Sequence, residues 1–205
     1  MICDEKIKIF AESFFTNHNQ ISDEIRNLFL NDSIYKINLI EEFVSSNKFI
    51  DSAEFYINVN NDFNLFYNEV KPIVRVFNSY NQSYYLNSKC KKIPLSKKHT
   101  TDVIVVSGFT ENVKDEKIVN LIDEINSFNL LKYQISEIYI SEENEIYLNT
   151  FLGDHEIKIG TFQDLTKKLN KAMVFYDKII PKNGWNKYSK INLEYNNQII
   201  CLKDD

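Results

Sequence analysis

The sequence predicts an α+β protein in two parts, a small unit with two helices followed by a longer, strand-rich region. Apolar residues alternate with polar ones over many short stretches, as in half-buried strands, and recur with helical spacing over four longer stretches. Only 4 glycines and 3 prolines interrupt a chain of 205 residues that is 43% hydrophobic. This composition is typical of a folded core and not of a low-complexity chain.

The first 71 residues predict a β-α-α-β-β unit. Residues 6–10 alternate as a strand, and residues 21–30 and 37–47 have helical spacing. Strands are then expected over 52–59, where Ala53, Phe55, Ile57 and Val59 share one face, and over 63–67. Two short helices packed on a three-stranded sheet satisfy this order, so we predict a domain over residues 1–71.

A second, mostly antiparallel β domain with two long helices is predicted over residues 72–205. Strands are expected at 72–77, 84–87, 102–109, 135–141, 145–151 and 156–160. Residues 190–203 are expected to form either two strand-like runs around the Asn196-Asn197 turn or one bent strand. The short turns at 141–144 and 152–155 indicate an antiparallel meander.

Local signals predict where the two long helices begin and end. The first is predicted over 115–131, with Asp115 as its N-cap. The second should begin at Thr161, as N-cap of a weak capping box with Asp164, and end at Pro181 and Gly184.

Charge and cysteine content exclude several classes of function. The formal net charge is −5, whereas a nucleic-acid-binding protein normally presents a basic face. The one dense basic run, Lys89 to Lys98, is typical of a solvated loop. Cys3, Cys90 and Cys201 form no CxxC pair and are odd in number, which argues against a metal site or a complete set of disulfides. We expect Cys201 to be a small core residue.

No sequence pattern in the chain indicates catalysis, a cofactor or a metal ion. Gly160-Thr161 lies where phosphate-binding loops begin, but one glycine without a following GK[ST] favours simple helix capping. The run Asp154-His155-Glu156 lacks metal-ligand spacing. His18, His99 and His155 each lie among polar residues and are expected to be exposed.

The last strands suggest a binding module. The apolar residues Tyr188, Ile191, Leu193, Tyr195, Ile199 and Ile200 lie on a predicted edge strand that is blunted only by Lys187, Lys190 and Glu194. Such an edge can accept a partner strand. The alternative is an ordinary amphipathic strand whose apolar side faces the core.

Short motifs, in order over nearly the whole chain, resemble the FtsQ/DivIB family of bacterial cell-division proteins. Residues 37–77 resemble the end of that family's POTRA domain. Four further segments resemble successive motifs of its β domain: IPLS (93–96), VVSG (105–108), IKIGTFQDLTKKL (157–169) and INLEYNNQIICL (191–202).

The resemblance implies a POTRA domain followed by a β domain, and a non-catalytic scaffold. It implies partners similar to FtsB and FtsL, recruitment and regulation of the septal peptidoglycan synthase, and no small-molecule substrate. The partner strand of FtsB is taken up by the last strands of the β domain. Carried onto this sequence, the partner-binding residues are Ile191, Asn192, Leu193, Glu194, Tyr195, Ile199 and Ile200.

The sequence departs from the family in two ways. Asn192 and Glu194 stand where the family has Asp and Arg, so one charge is reversed. The family also has a membrane helix before its POTRA domain, which places it at the periplasmic face of the inner membrane at the division septum. This sequence begins almost at the first POTRA strand and has no apolar stretch of about 20 residues. Either a soluble fragment or a gene without its anchor would give this pattern.

Two other functions stay open at this stage. A POTRA-type chaperone or transport module of the cell envelope would bind peptides at the strand over 52–59. An enzyme would need a concave pocket with converging titratable groups, His155 among them.

Overall fold

The protein is described from a computed structural model, which covers residues 7–31, 37–60 and 62–203. The expectations for Cys3 and for residue 6, the first of the predicted strand 6–10, fall outside this range. The described residues divide into two compact units, one of residues up to 71 together with 93–101, the other of residues 72–92 and 102–203. The sequence predicts a boundary between residues 71 and 72. In the structure, residues 93–101 also belong to the first unit.

The first unit has the predicted β-α-α-β-β order. Its elements are β1 (Lys8–Phe10), α1 (His18–Asn31), α2 (Ile37–Ser45), β2 (Ile50–Ile57) and β3 (Phe63–Glu69). Within the described ranges the strands form a three-stranded sheet in the order β1-β3-β2, with β1 parallel and β2 antiparallel to β3. Ile25, Val44, Phe55 and Leu65 are among the residues of its core. Val59, expected on the buried face, lies beyond the end of β2 and is 99% exposed.

The second unit forms one long mixed sheet. Its strands are β4 (Pro72–Phe77), β5 (Ser83–Asn87), β6 (Lys92–Ile93), β7 (Ile104–Gly108), β8 (Ile135–Ile140), β9 (Ile146–Thr150), β10 (Glu156–Gly160), β11 (Tyr188–Asn192) and β12 (Ile200–Lys203). Its helices are α3 (Asp115–Asn126), α4 (Asn129–Gln134), α5 (Leu165–Lys178) and α6 (Ile180–Asn183). The described strands number nine, in the order β12-β11-β10-β9-β8-β7-β4-β5-β6.

Three pairs of neighbouring strands in the described sheet are parallel: β4 with β7, β7 with β8, and β10 with β11. The meander β8-β9-β10 is antiparallel, as predicted. The chain returns through α3 to place β8 parallel to β7, and through α5 to place β11 parallel to β10, because parallel neighbours need a long connection. Both helices bury their apolar stripes in one core with the alternate residues of the strands, such as Ile138, Leu148 and Ile157. The predicted α+β class is therefore confirmed.

The first long helix is interrupted. The sequence predicts one helix over 115–131, but α3 ends at Asn126, and α4 starts at Asn129 after an extended Phe128. The Ser127 hydroxyl donates to the Glu124 carbonyl, which favours an end here because the side chain competes for the helix's backbone acceptors. Asp115 is also not the N-cap. Lys114 occupies that position, and the Asp115 carboxylate contacts Tyr84 and Lys92 instead.

The second long helix begins later than predicted. Asp164, not Thr161, is the N-cap of α5, and it adopts a left-handed conformation with φ 52°. No capping box forms: the Asp164 carboxylate pairs with the Lys167 ammonium at 2.9 Å instead of reaching back to Thr161. The Thr161 carbonyl accepts a hydrogen bond from the buried Lys168 ammonium at 2.9 Å. The end also differs: α5 stops at Lys178, and Pro181 lies in the first turn of α6. Gly184 follows α6 with φ 80°, as expected of a glycine after a helix end.

The first part of the basic run, residues 89–91, lies in the connection between β5 and β6. Asn87 accepts hydrogen bonds from the amides of Lys89 and Lys91 through its side-chain oxygen, and Cys90 takes a positive φ of 58°. Lys92, the first residue of β6, pairs with Asp115 at 3.1 Å. This part of the run is therefore a tight turn that leads into a strand, and the charge of Lys92 is balanced by an acid of the same unit.

Candidate partner-binding edge

The last strand of the chain, β12, is the outer edge of the second unit's sheet. It pairs antiparallel with β11 only, among the described residues. β11 itself is interior, because it also pairs in parallel with β10. The sequence places the apolar residues of both strands on one predicted edge, whereas in the structure the edge at this end of the sheet is formed by residues 200–203.

The seven predicted partner-binding residues are divided by this arrangement. Ile191 and Leu193 are buried in the core, and Ile199 is partly buried against it. Tyr195 and Ile200 are exposed by 48% and 41%. Leu202, which was not predicted, is the most exposed apolar side chain of β12, at 56%. The alternation of Ile200 and Leu202 with the partly buried Cys201 could have pointed to it.

The backbone of Cys201 faces the open side. Leu193 donates its N–H to the Lys158 carbonyl of β10 at 2.9 Å, so the backbone groups of Ile191 and Leu193 face β10. Those of Lys190 and Asn192 then face β12, where they pair with Leu202 and Ile200. Since the facing direction alternates along a strand, the N–H and C=O of Cys201 point away from β11. These are the groups that an added strand would bind.

Asn192 and Glu194, the two departures from the family pattern, are held by this chain itself. The Asn192 side-chain oxygen accepts the Glu194 amide at 2.9 Å and closes a turn at the end of β11. The Glu194 carboxylate lies 3.3 Å from the Lys158 ammonium, which also contacts Glu145 at 2.9 Å. The hydrogen bonds to Glu145 and Glu194 raise the pKa of Lys158. The reversed charge at 194 is thus neutralised within the unit.

A glycine is needed at position 160 for two reasons, its left-handed backbone conformation and the closeness of the Glu194 side chain. The φ of Gly160 is 74°, a left-handed value that costs other residues energy. A Cβ atom there would lie 3.1 Å from Cγ of Glu194. The close approach of strand and side chain, and not phosphate binding, accounts for glycine at this position.

Lys171 of α5 fixes the chain between β11 and β12. Its ammonium donates hydrogen bonds to the carbonyl oxygens of Leu193 and Tyr195, the latter at 2.6 Å. Burial, together with the charge of Lys168, lowers the pKa of Lys171. The helix thereby holds the loop that presents Tyr195 and leads into the edge strand.

The histidines are not the exposed residues that the sequence predicts. His155 is buried, and its Nε2 lies 2.8 Å from the Tyr176 hydroxyl within a cluster that includes Phe175. Burial lowers the pKa of His155, which favours the neutral ring. His18 and His99 are half-buried, and His99 contacts the rings of Phe14 and Phe15. The prediction failed because polar neighbours in sequence do not reveal an aromatic cluster in space.

Within the described ranges, no group of three His, Cys, Asp or Glu side chains is placed to hold a metal ion. No helix in the same ranges has the length and apolarity needed to cross a membrane.

Comparison with known protein families gives a match to the second unit. The model of a family described as "FtsQ/DivIB, C-terminal related" matches residues 71–202, which is more than half of the chain. The matched range starts at the boundary of the second unit and includes most of β12. No curated protein matches this sequence.

Proposed function

This chain belongs to the FtsQ/DivIB, C-terminal related family of cell-division proteins, and we propose that it is a non-catalytic scaffold of the division machinery. In this proposal it binds proteins similar to FtsB and FtsL and helps to recruit and regulate septal peptidoglycan synthesis. It acts on the periplasmic side of the inner membrane at the septum. The first unit serves as a POTRA domain, which its β-α-α-β-β order and β1-β3-β2 sheet support.

One observation carries the proposal: the matched family segment ends in an edge strand that presents apolar side chains. A partner strand beside β12 would bind the outward N–H and C=O of Cys201 and cover Ile200 and Leu202. Backbone hydrogen bonds supply affinity in this mode of binding, and the side chains supply selectivity. Of the residues carried over from the family, Tyr195, Ile199 and Ile200 remain candidates for direct contact.

The reversed charge at 194 changes what the partner must offer. In the family that this sequence resembles, the corresponding position is an arginine, which can pair with an acidic residue of the partner. Here Glu194 already contacts Lys158, and both side chains are about one-third exposed or less. We therefore infer that partner recognition at this end of β11 rests on apolar contacts around Tyr195 and not on an ion pair at residue 194.

The competing functions have less support. A chaperone that binds peptides without selectivity would need an open outer edge of β2, but there the Phe55 amide already donates to the Glu41 carboxylate at 2.8 Å. An enzyme using His155 would need that ring to face a pocket, whereas it is buried against Phe175 and Tyr176.

The test is a pull-down with the FtsB-like and FtsL-like proteins of the same cells. We expect Leu202→Lys and Tyr195→Lys to abolish or strongly weaken binding, because each places a charge in the proposed apolar contact. Tyr80→Lys is the matched control, since Tyr80 is equally an exposed aromatic residue of the second unit but lies in the turn between β4 and β5. Equal binding by all four proteins would refute the assignment to β12.

A further inference from the structure

The outer edge of β2 in the first unit is occupied by a side chain. Glu41 of α2 accepts a hydrogen bond from the Phe55 amide at 2.8 Å through its Oε1 atom. Because this amide is bound by a side chain and not by β3, it faces the outer edge of the strand. Within the described ranges, β2 pairs with β3 alone.

Glu41 takes the place of a neighbouring strand. A strand added to β2 would offer a carbonyl oxygen to the Phe55 N–H, and the carboxylate oxygen now occupies that position. A hydrogen bond to a charged acceptor is stronger than one to a neutral carbonyl, so an incoming strand must displace the better partner. Covering an edge in this way is one means by which proteins prevent unwanted strand pairing.

The chemistry around this edge is acidic and aromatic. Glu41 and Glu42 lie on α2, Glu54 is exposed on β2, and none of these three carboxylates forms an ion pair with another described residue. The exposed ring of Tyr56 stacks on Phe66, at 5.7 Å between centroids, on the solvent side of the sheet. A strand entering here would place its side chains beside Glu54 and Tyr56.

We propose that Glu41 closes the β2 edge, and that the edge admits only an extended segment carrying lysine or arginine. The cation draws the Glu41 carboxylate away from the Phe55 amide and forms an ion pair with it, and the segment's own carbonyl then replaces the carboxylate. Neutral or acidic segments have no means of removing Glu41. This edge is separate from β12, and the proposal does not rest on the proposed function.

The experiment uses the whole chain and two labelled peptides, one alternating lysine with valine and one alternating threonine with valine. Fluorescence anisotropy measures the affinity of wild type, Glu41→Ala, Glu41→Gln and Glu42→Ala. Amide exchange of Phe55, followed by NMR, shows whether the bound peptide lies at this edge.

Wild type should bind the lysine peptide roughly tenfold more tightly than the threonine peptide, the value of one charge-assisted hydrogen bond. Glu41→Ala should bind the threonine peptide roughly tenfold more tightly than wild type does. Glu41→Gln retains an acceptor oxygen, so it should still exclude the threonine peptide while losing most of the preference for lysine. Glu42→Ala removes an acid of the same helix that makes no bond to the Phe55 amide, so it should exclude the threonine peptide as wild type does.

Two results would overturn the proposal. In the first, the threonine peptide binds wild type and Glu41→Ala equally, which would mean that Glu41 closes nothing. In the second, a bound peptide leaves the exchange of the Phe55 amide unchanged, which would place binding elsewhere. Far-ultraviolet circular dichroism detects a folding defect in Glu41→Ala separately. If that variant is misfolded, the test rests on whether Glu41→Gln loses the preference for the lysine peptide that wild type shows.

Discussion

Glu69 is the most heavily hydrogen-bonded carboxylate described in the first unit. It accepts the amides of Phe14, Phe15 and Thr16 at 2.8 to 3.0 Å and the Thr16 hydroxyl at 2.6 Å. Burial alone would raise the pKa of Glu69, but these bonds outweigh it and lower the pKa below its ordinary value of 4.5. One side chain therefore fixes the loop between β1 and α1.

Glu69→Gln should reduce the free energy of unfolding by about 1–3 kcal/mol at neutral pH, because the amide group cannot accept all four bonds. A lowered folded-state pKa gives stability that is present above the unfolded-state pKa and lost as pH falls. The difference between wild type and variant should accordingly shrink below pH 4.5. Urea unfolding of both proteins at several pH values measures this difference in the free energy of unfolding. A difference that does not change with pH would contradict this account of Glu69.

Gly160→Ala tests the packing of Glu194 on β10. The left-handed φ should cost about 1–2 kcal/mol, and the contact with the Glu194 side chain should add to it. In a Glu194→Ala background the contact with the Glu194 side chain is absent. The free energy of unfolding lost through Gly160→Ala should therefore be smaller in that background than in wild type. Unfolding of the four proteins of this cycle gives the coupling, and strictly additive losses would show that the contact contributes nothing.

At the scale of elements, the connection from β11 to β12 depends on α5. Lys171→Met removes two hydrogen bonds from the carbonyls of Leu193 and Tyr195. We expect faster amide exchange over residues 194–199 and a loss of about 1–2 kcal/mol in the free energy of unfolding. Lys167→Met is the control, because Lys167 forms only an exposed pair with Asp164 and should cost under about 0.5 kcal/mol. Equal exchange in the two variants would disprove the role of Lys171.

Element boundaries were the least predictable feature of the sequence. The apolar stripe of the helix over 115–131 runs on without a visible break, yet Ser127 bonds back to Glu124 and the helix stops. Thr161 and Asp164 have capping-box spacing, but the Asp164 carboxylate pairs with Lys167, and Asp164 itself is the N-cap. In both places a side chain forms a competing hydrogen bond, which residue type and spacing alone do not reveal.

At the scale of the whole molecule, the order of strands along the chain was predictable from the sequence, but their order in the sheet was not. Periodicity predicts strand-like runs around Asn196-Asn197, and the family resemblance implies that they bind a partner. The crossover through α5 places β11 inside the sheet and β12 at its edge. Of the predicted residues 191–195, 199 and 200, the candidate site therefore keeps Tyr195, Ile199 and Ile200 and gains residues 201–203. The ion pair between Lys158 and Glu194 could not be predicted from the sequence either, because the parallel pairing of β10 and β11 brings the two residues together.

The measurement that tests the central claim most directly is the affinity of Cys201→Pro for the FtsB-like partner, compared with that of Cys201→Ala. Proline removes the outward N–H that an added strand needs, and an edge strand tolerates proline at such a position. The alanine variant keeps that N–H and controls for the loss of the thiol. We predict partner binding by Cys201→Ala and none by Cys201→Pro, with both variants folded. Binding of equal strength by the two would contradict strand addition at β12.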